Sequence, residues 1–229
     1  MLGVVVPAHD EEDHIGACLE SVQIATRCPR LRGEKVVIVV ALDTCSDETE
    51  RTARRWGAEV VCVAARNVGI ARARGARHAL DAGARWLAFT DADSVVAPDW
   101  LSVQLEQRSD AVCGTIEVRD WSEYSEQLRQ HHVETYVDAD GHRHIHGANL
   151  GVTALAYLDV GGFQPLASSE DVALVEALRD RGASIAWSAA PRVVTSARRR
   201  YRAPGGFGET LVRVEGELAL KPRHPGASE

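Results

Sequence analysis

Short aliphatic runs alternate with amphipathic stretches along the first hundred residues of this 229-residue chain. Residues 4–6 and 36–42 are apolar throughout, as expected for strands that are buried on both faces. Between them, Ile15, Leu19 and Val22 recur at helical spacing. Alternation of this kind is typical of βαβ units, which build a parallel sheet with helices on its faces. The sequence therefore predicts an α/β fold in a single domain, with a Rossmann-like, mainly parallel central sheet flanked by helices.

The same periodicities predict the remaining elements, with a less regular second half. Strands are expected at residues 59–64, 86–90, 111–118, 142–146, 184–188 and 192–195. Helices are expected at residues 11–25, 49–56, 70–82, 98–107, 122–137, 153–160 and 171–181.

The chain carries 26 Lys and Arg residues against 33 Asp and Glu residues, a net charge of −7, which argues against nucleic acid as a partner. Its five cysteines are never spaced as CxxC, so we expect reduced thiols rather than a disulfide framework or a zinc site. No apolar run approaches the roughly 20 residues of a membrane-spanning helix, and no basic leader precedes the first strand. These features predict a cytoplasmic protein with no integral membrane segment.

Acidic residues follow three of the predicted strands, at the edge where α/β sheets bind their ligands. Helix capping alone would explain Asp13 or Asp47. It does not explain Asp91 and Asp93, because two carboxylates one residue apart repel each other unless a divalent cation lies between them and a phosphate. The turn after the first strand has no GxGxxG, and the chain has no P-loop, which excludes a dinucleotide-binding oxidoreductase.

Five short motifs stand in a characteristic order along the chain. They are Val4-Val5-Val6-Pro7-Ala8-His9-Asp10-Glu11-Glu12, Asp43-Thr44-Cys45-Ser46-Asp47-Glu48-Thr49, Asn67-Val68-Gly69-Ile70-Ala71-Arg72-Ala73-Arg74, Asp91-Ala92-Asp93 and Ser169-Glu170-Asp171-Val172-Ala173-Leu174. This order resembles that of family 2 glycosyltransferases of GT-A fold, from residue 4 to about residue 195. The resemblance implies a nucleotide-sugar-binding half at residues 1–100 and an acceptor-binding half at residues 101–229, with a frayed tail at 221–229.

The resemblance implies a donor site in the first half of the chain. Glu11 would accept hydrogen bonds from the ribose, Asp43 would accept the N3–H of uracil, and Arg74 would lie near the base and phosphates. Asp91 and Asp93 would hold Mg²⁺ or Mn²⁺, which neutralises charge on the leaving nucleoside diphosphate. The implied nucleotide-sugar-binding residues are Pro7, Ala8, Glu11, Asp43, Arg74, Asp91 and Asp93.

The resemblance also implies an acceptor site in the second half. Asp171 occupies the general-base position of inverting members, where a carboxylate takes the proton of the acceptor hydroxyl. Helix capping is the alternative for Asp171, because a predicted helix begins there. A triple-histidine metal site is a second interpretation of the alternating His142, His144 and His146. The implied acceptor-binding residues are His146, Gly147, Asn149 and Glu170.

An arginine-rich stretch ahead of three glycines has two interpretations. Arg198, Arg199 and Arg202 belong either to a solvated basic loop or to a mobile lid that reaches the donor diphosphate, with the glycines at 205–208 as hinges. Many family members supply a metal-binding His near this point, but residues 193–198 contain none. Either water and phosphates complete the metal's shell, or Arg198 and Arg199 replace part of its charge.

These residues and the resemblance predict transfer of a hexose from a nucleotide-diphosphate sugar, with a UDP-sugar favoured, to a hydroxyl of a small or medium soluble acceptor, with inversion. A retaining GT-A glycosyltransferase is the nearest alternative. A sugar-phosphate nucleotidyltransferase also uses paired carboxylates, but it would place a basic glycine-rich loop where this chain has acids. A non-catalytic nucleotide-sugar sensor would not need Asp171. The sequence leaves open the identity of the sugar and acceptor and the formation of a homodimer.

Overall fold

The computed structural model describes residues 1–201 and 205–220. The strands of these residues are β1 (Leu2–Ala8), β2 (Val36–Asp43), β3 (Glu59–Val63), β4 (Trp86–Phe89), β5 (Ser94–Val96), β6 (Ala111–Gly114), β7 (Glu117–Val118), β8 (Leu150–Thr153), β9 (Ile185–Ser188) and β10 (Val193–Thr195). Seven of them form the central sheet in the order β3-β2-β1-β4-β8-β6-β9. Neighbours are parallel except at β8, which runs antiparallel to both β4 and β6.

The helices of these residues are α1 (Ile15–Thr26), α2 (Thr49–Arg55), α3 (Val68–Asp81), α4 (Trp100–Glu106), α5 (Glu126–Thr135), α6 (Ala154–Asp159), α7 (Glu170–Asp180) and α8 (Phe207–Leu220). Helices α1, α2 and α4 pack on one face of the central sheet and α3, α6 and α7 on the other, whereas α5 and α8 pack against each other in a separate cluster. In β1, Val4 and Val6 belong to the core that contains Leu19 of α1, whereas Val5 belongs to the opposite core, with Ala76 of α3. Because both faces are covered, the strand is apolar at successive positions.

A second sheet of three strands, in the order β5-β10-β7, forms just after the carboxyl end of β4. Ser94 Oγ donates a hydrogen bond to Thr195 Oγ1 at 2.9 Å, which joins β5 to β10. Asp93 immediately precedes β5, and Arg198 follows β10 by three residues. The pairing of these two short strands therefore brings Arg198 back to the acidic end of β4.

The predicted α/β fold with a mainly parallel sheet is confirmed, but several elements differ from the prediction. The prediction of a strand at residues 142–146 is wrong, because the His142 N–H bonds to Ala139 O and the His144 N–H bonds to the His142 ring, outside any ladder. Strands β5 and β8 and helix α8 were not predicted. Helix α1 begins at Ile15, so the acidic residues 11–13 precede the helix and do not lie in its first turn.

Both predicted halves contribute to the central sheet, since β6, β8 and β9 come from residues beyond 100. The division at residue 100 stays a prediction, and the predicted frayed tail at 221–229 lies outside the described residues. Within the described ranges, no helix has the length and apolar character needed to cross a membrane, and the longest helices, α3 and α8, have 14 residues each.

Candidate functional site

A cavity of about 730 Å³ opens beside the carboxyl ends of β1, β2 and β4. The start of α7, the segment that follows β10 and the start of α8 complete its wall. Side chains from both ends of the chain therefore meet in one space. The residues that line it include Pro7, His9, Glu11, Asp43, Arg66, Asn67, Arg72, Asp91, Asp93, His146, Gly147, Glu170, Asp171, Arg198, Tyr201 and Phe207.

Arg198 bridges two of the predicted donor-site acids. Its Nη1 donates to Glu11 Oε2 at 2.7 Å, and its Nη2 pairs with Glu11 and lies 3.1 Å from Asp93 Oδ2. Glu11 is 5% exposed, and its own N–H donates to Thr49 Oγ1 at 2.8 Å. The Glu11 carboxylate, predicted to bind ribose, is thus engaged by a guanidinium. Of the two interpretations of Arg198, the structure favours the one in which it reaches the donor site.

The pair of carboxylates at the end of β4 fits a divalent cation. Burial, reinforced by repulsion from Asp91, raises the pKa of Asp93 to about 7, although Arg198 opposes that shift. Carboxylate oxygens are the ligands that Mg²⁺ and Mn²⁺ prefer, and a bound cation would relieve the repulsion. Such a cation would compete with Arg198 for Asp93, because the guanidinium already supplies positive charge there.

Asp43, at the end of β2, is 4% exposed and lines the cavity. Backbone N–H groups already donate hydrogen bonds to both of its carboxylate oxygens. Its Oδ1 accepts the N–H groups of Ala65 and Arg66 at 2.8 Å, and its Oδ2 accepts the N–H of Asn67 at 2.7 Å. Burial opposes ionisation, but these N–H groups prevail and lower the pKa of Asp43. The carboxylate therefore holds the loop after β3, and Oδ2 can accept one further hydrogen bond.

Arg72, not Arg74, reaches the cavity from α3. Arg74 is exposed and absent from the cavity wall, whereas Arg72 is 4% exposed and lines it. Two residues along a helix point about 200° apart, so the two arginines lie on opposite faces. Arg72 stands three residues after Gly69 and four before Ala76, both of which are buried. That spacing on the buried face was the signal in the sequence that could have found it.

Glu170 and Asp171 begin α7 and line the cavity, and their acceptor-side roles stay predictions. Glu170 is 4% exposed and forms an ion pair with Arg72. Burial raises the pKa of Glu170, an effect that the Arg72 charge opposes. Asp171 is half-buried, and its Oδ2 accepts the N–H of Gly147 at 2.7 Å. Asp171 therefore has a fixed orientation at the cavity wall, while the Glu170 carboxylate is occupied.

His146 lines the cavity at the end of a stack of rings. Its Nε2 shares a hydrogen bond of 3.0 Å with the Tyr136 hydroxyl, and the ring of His144 stacks on Tyr136 with centroids 4.2 Å apart. Burial, with the neighbouring histidines, lowers the pKa of His146 to about 3. The imidazole is therefore neutral at physiological pH and can serve as a hydrogen-bonding wall for an acceptor.

The triple-histidine metal site is wrong. The His142 Nδ1 accepts the His144 N–H, and the His144 Nε2 accepts the Val137 N–H, so these rings serve as local acceptors. In the part of the chain that the structure describes, the group of three side chains close enough to share an ion is instead Asp10, Cys45 and Asp47. Both carboxylates of that group already accept hydrogen bonds from backbone N–H groups.

Two other predicted residues lie behind the cavity wall. Asn149 is 1% exposed, and its amide bonds to Trp100, Thr115 and Pro191. It is thus a core residue rather than part of an acceptor pocket. Ala8 is 5% exposed, lies outside the lining, and its carbonyl accepts the Cys45 thiol at 3.3 Å. Pro7 does line the cavity.

Arg199 points away from the cavity, contrary to its predicted place in a lid. Its Nε donates to Glu123 O at 2.5 Å, its Nη2 pairs with Glu215 of α8, and its Cζ lies 4.7 Å from the ring centroid of Tyr124. The Glu215 carboxylate and the Tyr124 ring supply an ion pair and a cation–π contact on that side, which hold the guanidinium there. Arg202 lies outside the described residues.

His9 and Asn67 line the cavity although no role was predicted for either. His9 Nδ1–H donates a hydrogen bond of 2.7 Å to the Asp43 carbonyl oxygen. Asn67 caps α3, and its Oδ1 accepts the Ile70 N–H at 3.0 Å. Both residues belong to the five motifs that carry the family resemblance. Their place in those motifs was a signal even without an assigned role.

Comparison with known protein families gives one match. Residues 3–156 match the sequence model of the family described as Glycosyl transferase family 2. No curated protein sequence matches the chain.

Solved structures provide the architectural match. The chain is similar to S. aureus TarS 1-349 in complex with UDP-GlcNAc (15% identity, TM-score 0.69), covering 96% of this chain and 66% of that one. It is also similar to the mannosyltransferase PcManGT from Pyrobaculum calidifontis in complex with GDP-Man and Mn²⁺ (20% identity, TM-score 0.67), covering 98% and 65%.

A third similar structure is glucosyl-3-phosphoglycerate synthase from Mycobacterium tuberculosis in complex with Mn²⁺, UDP and glucosyl-3-phosphoglycerate (19% identity, TM-score 0.60), covering 88% of this chain and 72% of that one. The chain thus spans a little under two thirds of the TarS and PcManGT structures. At these identities the likeness establishes the GT-A fold.

Proposed function

This chain belongs to the family 2 glycosyltransferases, and on that premise we propose that it transfers a hexose from a nucleotide-diphosphate sugar, preferably a UDP-sugar, to a hydroxyl of a small or medium soluble acceptor, with inversion. The observation that carries the proposal is the position of Asp171. It stands in the same cavity as the acids at the ends of β1, β2 and β4, but on the wall that α7 contributes. A donor bound at the strand ends would therefore meet an oriented carboxylate across the cavity.

The balance of charge supports a metal-assisted donor site. Six carboxylates line the cavity, against the three arginines Arg66, Arg72 and Arg198. A nucleoside diphosphate would add further negative charge, so a divalent cation held by Asp91 and Asp93 is expected to accompany it. When bound, that cation would neutralise charge on the leaving diphosphate. The Mn²⁺ in the PcManGT complex is consistent with this arrangement.

On the acceptor side, Asp171 acts as general base. Its carboxylate takes the proton of the acceptor hydroxyl while that oxygen attacks the anomeric carbon on the face opposite the leaving diphosphate. The C–O bond to the diphosphate breaks as the new glycosidic bond forms, which inverts the anomeric configuration. The Gly147 N–H fixes one oxygen of Asp171, and the neutral His146 ring lines the wall beside it.

The test is Asp171→Asn, with Asp180→Asn at the exposed end of the same helix as control. Release of the nucleoside diphosphate, UDP from UDP-glucose and UDP-GlcNAc or GDP from GDP-mannose, is screened with Mn²⁺, first with water and then with a panel of sugar and polyol acceptors. We expect kcat to fall about 10²–10⁴-fold in Asp171→Asn with donor affinity preserved, because general-base catalysis is worth about that factor. The control should behave like the wild type.

Product analysis separates the alternatives. Release of pyrophosphate instead of nucleoside diphosphate would replace the proposal with a nucleotidyltransferase, and a product that keeps the donor's anomeric configuration would indicate a retaining enzyme. Donor binding with no release of any product would indicate a nucleotide-sugar sensor. The cytoplasmic location and the homodimer stay predictions from the sequence.

A further inference from the structure

One buried arginine joins the donor wall to the acceptor wall of the cavity. The Arg72 Nη2 donates to Asp91 Oδ1 at 2.5 Å, and its Nη1 pairs with Glu170. Arg72 is 4% exposed, and Glu170 is equally buried. Burial works against the charge of Arg72, but Asp91 and Glu170 outweigh it, so the pKa of Arg72 is raised and the guanidinium stays charged. A buried charge is tolerated where it is paired in this way.

The guanidinium also determines the position of Gly147. A Cβ at residue 147 would lie 1.9 Å from the Arg72 Nη1 and 2.2 Å from its Cζ, so only glycine permits this close contact. The Gly147 N–H in turn holds Asp171 Oδ2 at 2.7 Å. Arg72 therefore touches Asp91 and Glu170 directly and reaches Asp171 through the backbone of Gly147.

A lysine could not make the contacts that Arg72 makes. The Arg72 Cζ lies 5.8 Å from the ring centroid of Phe163, within the range of a cation–π contact. The Arg72 Nε is buried and has no hydrogen-bond partner among the described residues. The two Nη groups alone make the connections, and a lysine has one ammonium where arginine has a rigid fork.

We propose that Arg72 is a positioning residue. It fixes the position of the donor-side Asp91 relative to the acceptor-side Glu170 and Asp171. The inference rests on the proposed function for the roles of Asp91 and Asp171. Transfer by in-line displacement requires the attacking hydroxyl, the anomeric carbon and the leaving diphosphate to be aligned. A misplacement of about 1 Å costs about 10²-fold in rate. The Arg72 guanidinium, paired with an acid on each wall, restricts the relative movement that would misalign them.

The test compares Arg72→Lys with Arg77→Lys, an exposed position on the same helix that pairs with Asp81 at 2.9 Å. Calorimetry with UDP in Mn²⁺ or EDTA reports on the donor wall, and steady-state UDP release from the best donor reports on turnover. We expect Arg72→Lys to lower the Mn²⁺-dependent part of the UDP affinity about tenfold and kcat about 10²-fold. Arg77→Lys should match the wild type in both measurements.

Glu170→Gln keeps the proposal testable if Arg72→Lys unfolds, because it leaves the guanidinium in place. Glu170 meets Asp91 only through Arg72, so Glu170→Gln should lower kcat and also the Mn²⁺-dependent part of the UDP affinity. Combined with Arg72→Lys, where that variant folds, it should add little further loss in kcat, because the two side chains act as a unit. Additive losses, an unchanged UDP affinity in Glu170→Gln, or an Arg72→Lys protein with wild-type kcat and UDP affinity would overturn the positioning role.

Failure of the proposed function would look different. A wild-type protein that releases no nucleoside diphosphate from any donor refutes the transferase proposal, whereas equal Mn²⁺-dependent UDP binding by wild type and Arg72→Lys refutes the positioning role without any turnover being measured.

Discussion

The structure places Asn149 in the core. Its replacement distinguishes this structural role from the acceptor-binding role that the resemblance implies. Its Oδ1 accepts the Trp100 Nε1–H at 2.9 Å, and its Nδ2 donates to Thr115 O at 2.7 Å and to Pro191 O at 2.9 Å. The amide thus ties α4, the segment after β6 and the segment before β10 to one point in the core. Asn149→Ala removes all three bonds at once.

The size of the effect follows from the three partners left behind. A buried polar group without its partner costs about 1–3 kcal/mol. Water that enters the vacated space would satisfy part of this loss, so the lower end applies and the sum is about 3 kcal/mol. In a chain of this size 1 kcal/mol moves the melting temperature by about 2–4 °C, which gives a decrease of about 6–12 °C.

Thermal unfolding by circular dichroism measures this decrease, with Gln130→Ala as the control. Gln130 also donates its amide to a partner, Glu134 at 2.9 Å, but does so at the exposed surface of α5, so its loss should shift the melting temperature by less than about 2 °C. Once an acceptor is known, its KM should be unchanged in Asn149→Ala at a temperature where the variant is folded. A melting temperature near that of the wild type, together with a raised acceptor KM, would refute the reasoning.

Two further predictions concern the donor side. Arg198→Ala should raise the affinity for Mn²⁺ alone, because the guanidinium that neutralises Glu11 and Asp93 is removed. Titration followed by electron paramagnetic resonance measures this affinity, with Arg192→Ala at an exposed position as control. An unchanged affinity would show that cation and guanidinium do not compete. Asp43→Asn should destabilise the protein most at neutral pH. The folded pKa of Asp43 lies below its ordinary value of 3.8, so its contribution is present above that value and is lost as the pH falls through the folded pKa. The difference in unfolding free energy between wild type and Asp43→Asn, measured by urea denaturation, should therefore shrink below about pH 4; a difference that stays constant with pH would contradict the argument.

Most of the central sheet could be predicted from periodicity alone. The runs that form β1 and β2 are buried on both faces, which makes them continuous and easy to recognise. Their parallel arrangement also explains why acids far apart in sequence were expected together, since the carboxyl ends of parallel strands share one edge. Asp43, Asp91 and Asp93 do line one cavity.

Elements that depend on tertiary contacts were missed. Strand β8 has four residues and is defined by pairing with β4 and β6 on either side, information that no local pattern contains. Helix α8 follows glycines, which read as hinges, although Gly205 takes a positive φ and Phe207 begins a helix. The assignment of Arg74 followed the order of a motif without regard to helix phase. The sequence could not place Asn149 in the core, because an asparagine that binds a ligand and one that is bonded within the core look the same in a sequence.

The antiparallel insertion of β8 has a consequence for synthesis on the ribosome. All four residues of β4 are buried in the finished sheet, yet the strand on its far side begins about 60 residues later, at Leu150. At roughly 5–20 residues per second, the nascent chain carries β4 as an unpaired, apolar edge for roughly 3–12 s. An edge of that kind is a template for pairing with another chain. This interval of exposure to aggregation therefore falls after the donor-side strands have been made, and it ends when one four-residue strand emerges.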